Sequence, residues 1–68
     1  MKDKIIAASQ LHFKAHIEKH KMNVEIMMDN PMAIHDHTDL MSAIEQEISK
    51  IAEYEDKLAV LEKHFRNF

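Results

Sequence analysis

The chain has 68 residues, a net charge of −3, no cysteine, no glycine and a single proline. That length holds one small domain, and a lone core of that size rarely supplies more than about 3–5 kcal/mol without a staple, a metal or a partner chain. The lack of cysteine excludes disulfides and thiolate metal sites, and the acidic balance argues against a nucleic-acid binder, which needs a basic face for phosphates. Turns and strand connections lean on glycine and proline, so a chain nearly without them has few turns. What remains is rich in Ala, Leu, Ile, Met, Glu and Lys, mostly good helix formers. An all-α fold is expected. No apolar run approaches the ~18 residues that span a bilayer, and the start Met1-Lys2-Asp3-Lys4-Ile5-Ile6 has too short an apolar stretch for a signal peptide. A cytoplasmic protein without a membrane partner is expected.

The first element runs from about residue 3 to 28. It ends at Asp29-Asn30-Pro31, because proline pushes the residue before it out of the α region and offers no N–H. At ~100° per residue, Ile6, Phe13, Ile17, Val24 and Met28 form one apolar stripe, while Ala8, Leu11, Ala15, Met22 and Ile26 form a second, well around the helix. Ile5, His12, His16, His20, Ser9, Asn23 and Met27 fall between them, and Lys14, Glu18, Lys21 and Glu25 make the polar strip. A helix apolar over so wide an arc needs more than one neighbour.

Residues 29–37 form the connection. Pro31 can open a short helical turn at 31–34, followed by a kink through His35-Asp36-His37, where Asp36 suits a cap with Asp39 three residues on. The second long helix then runs from about 37 to 66. Ile44, Ile51, Leu58 and Phe65 recur every seven residues, flanked by Leu40, Met41, Ile48, Tyr54 and Leu61. That is one heptad-like seam. Ser42, Glu45, Gln46, Ser49, Glu53, Asp56 and Lys63 make the opposite, solvated face, and Glu53–Lys57 and Glu62–Arg66 are favourable i,i+4 pairs. The expected architecture is a two-helix hairpin. Residues 1–28 carry five lysines against three acids and residues 29–68 nine acids against four bases, which suits two helices packed on each other. The second stripe of the first helix calls for another chain. The simplest closure is a homodimer forming an antiparallel four-helix bundle, with Ile6, Phe13, Ile17, His20, Val24 and Met27 as the expected oligomer interface.

Six histidines in so short a chain stand out. His12, His16 and His20 are spaced by four, and imidazoles at i,i+4 can chelate zinc or another divalent transition metal. They also titrate near pH 6, which would loosen an assembly built around them. The plainer reading makes them amphipathic residues at the edges of a core, hydrogen-bonded across an interface. No Glu-x-x-His pair is present to mark a di-iron bundle, so no cofactor is expected unless the ladder takes a metal. For His35-Asp36-His37, capping outweighs acid–base work. Met22, Met27, Met28, Met32 and Met41 cluster near the turn, where methionines fill irregular space or offer an adaptable surface. Ser9, Ser42 and Ser49 have no base or glycine elbow around them, so catalysis is not expected.

His12-Phe13-Lys14-Ala15-His16-Ile17-Glu18-Lys19-His20, Asn23-Val24-Glu25-Ile26-Met27, Asp29-Asn30-Pro31, His37-Thr38-Asp39-Leu40-Met41 and Ile51-Ala52-Glu53-Tyr54-Glu55-Asp56-Lys57-Leu58 together resemble short helical proteins encoded by tailed phages of marine cyanobacteria. The resemblance implies a phage origin and a place in the host cytoplasm. It brings no activity and no functional residue with it. A non-enzymatic interaction protein, self-associating and binding a host or phage protein, is the expected role.

Overall fold

The computed structural model describes residues 1–30 and 37–65. Two helices account for nearly all of them: α1 over Lys2–Asp29 and α2 over His37–Phe65. The expected short turn at 31–34, the kink at His35 and Asp36, Met32 and the Glu62–Arg66 pair lie outside the described residues. α1 opens without a side-chain cap. Instead the Ile5 N–H donates to the Met1 carbonyl at 3.0 Å. At the other end Asn30 has φ −139° and ψ 62°, outside the α region, as the residue before a proline prefers. Its N–H still donates to the Ile26 carbonyl at 3.0 Å.

The helices run antiparallel, and the half-buried positions repeat with a heptad on both. On α1 these are Ile6, Ser9, Gln10, Phe13, His16, Ile17, His20, Asn23, Val24 and Met27; on α2 they are Leu40, Ala43, Ile44, Glu47, Ile51, Tyr54, Leu58, Leu61 and Glu62. One heptad row on each helix sets the register. Phe13 meets Tyr54 with ring centroids 6.2 Å apart, His20 meets Glu47, and Ile6 and Leu61 line one depression at the end of the pair. The expected solvated face of α2 is exposed throughout, and Lys57 Nζ stands 3.6 Å from Glu53 as its i,i+4 spacing predicts.

The pair is a rod of 50 × 15 × 13 Å with a radius of gyration of 15.4 Å, against roughly 11 Å for a globular chain of this length. Among the described residues none is fully buried. The second stripe of α1 is left in water: Leu11 is 70 % exposed, Met22 59 % and Ile26 57 %. Met28, Met41 and Ile48 are exposed as well, so most of the methionines near the turn fill no core. Among the described residues no helix is long and apolar enough to cross a membrane.

Ile51 sits in mid-seam on α2 and is half-buried. Ile51→Ala should lower the unfolding free energy by roughly 1–2 kcal/mol, about half the cost at a fully enclosed site. Ser49→Ala, on the exposed face, should stay within about 0.5 kcal/mol. Urea unfolding followed by circular dichroism at fixed protein concentration reads both.

Candidate functional site: a polar cluster in the hairpin seam

Histidines spaced by four do not stay on one side of a helix. At ~100° per residue each step advances by about 40°, so the ladder winds from solvent into the seam. His12 is exposed, while His16 and His20 are half-buried against α2. The rings remain neighbours along the helix: His12 and His16 meet edge-on at 4.5 Å, and His16 and His20 lie 6.3 Å apart.

α2 answers this run with Glu47 and Tyr54. The Tyr54 ring stacks on His16 at 4.5 Å, only 12° from parallel, and lies 6.1 Å from His20 at the same angle. Lys57 Nζ stands 4.9 Å from the centre of the Tyr54 ring, a cation–π contact that braces it. His20 Nδ1 donates to Glu47 Oε2, with the two side chains only 12 % and 21 % exposed. Farther along, Gln10 Nε2 donates to Glu62 Oε2 at 3.3 Å. Glu47 is marked in the sequence only by its place seven residues from both Leu40 and Tyr54, which puts it in their row.

The electrostatics follow from this packing. The Glu47 carboxyl is held below its ordinary 4.5, first by the hydrogen bond from His20, with Asn23 adding a second and the charges of His20 and Lys19 helping; partial burial pulls the other way. His16 is held below 6.5, chiefly because packing strips water from its ring, then by the positive charges of His12, Lys19 and His20 on its own helix and Lys57 on α2. Its Nδ1 is shut off from solvent and has no hydrogen-bond partner. A neutral imidazole stacks on the phenol ring with no charge to desolvate, whereas a proton on it would sit among like charges.

All six residues expected at an oligomer interface, Ile6, Phe13, Ile17, His20, Val24 and Met27, line this intrachain seam. The hairpin itself uses them, because they fall on the side of α1 that turns toward α2. The second stripe of α1 stays exposed, as do Met41 and Ile48 on α2. As for a metal, among the described residues no group of three or more His, Asp or Glu side chains is arranged to hold one. Among the described residues His12 and His16 are the two imidazoles that lie closest together.

Acid should weaken the hairpin in two stages. His16, with its folded value below 6.5, takes up a proton more readily in the unfolded chain, so stability falls as pH drops from about 6.5 toward that lower value. Glu47, held below 4.5, contributes stability that is present above 4.5 and lost as pH falls through its own folded value. Thermal unfolding followed from about pH 7 to about pH 3 should therefore show a falling midpoint. His16→Gln should flatten the upper stage and Glu47→Gln the lower one. If both variants keep the parent slope, the acid response lies elsewhere.

Comparison with models of known families, with curated proteins and with solved structures found no match to this chain.

Proposed function

We propose that the chain is a non-enzymatic, self-associating helical interaction protein, in which two hairpins join through α1 into a four-helix assembly. One observation carries this reading: Leu11, Met22 and Ile26, with Ala8 and Ala15, form an exposed apolar stripe on the side of α1 turned away from α2. At ~100° per residue the centres of seam and stripe lie about 150° apart, so no movement of α2 covers both. Pairing two copies would take six large side chains out of water, each worth about 1–2 kcal/mol at this exposure. The engagement of the seam's polar groups with one another favours a binding role over catalysis. The resemblance to phage-encoded helical proteins supports work in a host cytoplasm and a host or phage protein as a further partner.

Sedimentation equilibrium over roughly 1–100 μM tests the oligomeric half. The expected result is the mass of a dimer or a higher oligomer, and Leu11→Asp should weaken it by about tenfold or more, since a carboxylate would be buried against apolar side chains. A folded monomer across that range refutes the reading.

A specific observation favours a pH-responsive form of the same assembly. His16 stacks on Tyr54 with its Nδ1 unpartnered, so its protonation would disturb the seam that presents α1 to a partner. Dimer affinity should then fall between about pH 8 and about pH 5; a flat profile removes the switch. The alternative use of His12, His16 and His20 is a site for zinc or a similar metal, supported by the 4.5 Å approach of the first two rings. Equilibrium dialysis of tag-free protein against zinc separates it from the pH reading: bound metal supports it, and none refutes it.

A further inference from the structure

We propose that the partner of the exposed stripe is the same stripe of a second copy, with the two α1 helices antiparallel about a twofold axis near Ala15 and Glu18. The inference rests on the self-association reading and names its geometry. Charge placement is the starting point. A helix favours acids at its N-terminus and bases at its C-terminus. Along its free side α1 reverses this, with Lys4 in the first turn and Asp29 in the last; the first turn's acid, Asp3, lies about 100° away from Lys4, and the last turn has no basic residue. Each reversed charge costs a few tenths of a kcal/mol in an isolated helix.

Turning a second α1 end for end resolves the conflict. Lys4 stands as far from the middle of the stripe as Asp29 does on the other side, so each meets the other across the axis. Leu11 comes level with Met22 of the second copy by the same symmetry. Near the axis Ala15 comes level with Glu18 of the second copy, and a side chain that small lets the backbones approach. Glu18, the carboxylate nearest the middle of the stripe, then has Lys14 of the second copy beside it on the same flank. Among the described residues neither Lys4 nor Asp29 has an ion pair within the hairpin, and Glu18 has only the exposed Lys21 at 3.4 Å. A parallel pair would instead set Lys4 against Lys4, Glu18 against Glu18 and Asp29 against Asp29. The pairing places α1 and its copy at the centre of a layered four-helix array, with the two α2 helices outside.

The chain has no cysteine, so single cysteines report this geometry cleanly. Leu11→Cys and Met22→Cys both lie on the exposed stripe and leave the seam untouched. Mixed in equal amounts with a short bis-maleimide cross-linker, they should give the heterodimer, while Leu11→Cys alone should not cross-link, its two sulfurs standing about 16 Å apart along the axis. A charge swap reads the same contact by another route. Lys4→Glu or Asp29→Lys alone should weaken the dimer by about tenfold, because two attractions become two repulsions. The double variant on one chain should return to within about twofold of the parent. Like-with-like cross-links, or a dimer with neither cross-link nor rescue, overturn the antiparallel pairing and leave self-association standing. A folded monomer in the parent protein overturns both.

Discussion

Two helices laid side by side can shade a seam from water but cannot enclose it, because each covers only one side of the other. Every feature of this chain bears the mark of that constraint. The seam residues stop at half burial, the molecule is a rod, and the apolar side chains that find no place in the seam remain outside. The hydrophobic contribution available to such a pair is correspondingly small, since it scales with the area removed from water. Stability must then come from contacts outside the pair or from well-placed polar contacts within it.

The polar contacts have a distinctive arrangement. Gln10 with Glu62, His16 with Tyr54 and His20 with Glu47 are spread along the length of the seam. Half-buried groups of this kind contribute modestly when paired and cost more when left unpaired. Their effect is therefore less on the depth of the energy well than on its uniqueness. Among the described residues the one unpartnered buried side-chain atom, His16 Nδ1, sits where ring stacking rather than hydrogen bonding holds the side chain.

Much of the fold was legible in the sequence, for identifiable reasons. Pro31 after Asn30 and the absence of glycine left room for two long helices and little else. The seven-residue spacing of Ile44, Ile51 and Leu58 marked the side of α2 that turns inward, and the breadth of apolar positions on α1 was visible as two stripes. Two things were harder to read. Glu47 was hidden because a carboxylate in a seam looks like a solvated residue until its partner across the pair is known. The six residues expected at an oligomer interface are half-covered by α2; hydropathy shows that a stripe is apolar and says nothing about which neighbours, or how many, cover it. The three histidines share a spacing but not an environment: a step of four drifts around the helix, so His12 and His20 end in different surroundings.

The row that sets the register has one further consequence. Phe13 faces Tyr54 and His20 faces Glu47, with apolar residues at both ends of the same row. Sliding one helix by a heptad would bring Glu47 against Phe13 or Met27, a carboxylate shaded by a side chain that can offer it no hydrogen bond. The alignment of the two helices is thus encoded in the helices, and their connection need not enforce it. Chain length between Asn30 and His37 then matters little to the alignment, since each doubling of a connection adds only about 0.6 kcal/mol to the entropy of closing it. A lineage carrying this hairpin can lengthen, shorten or replace that segment, and so acquire a new appendage there, while the two helices continue to find the same alignment.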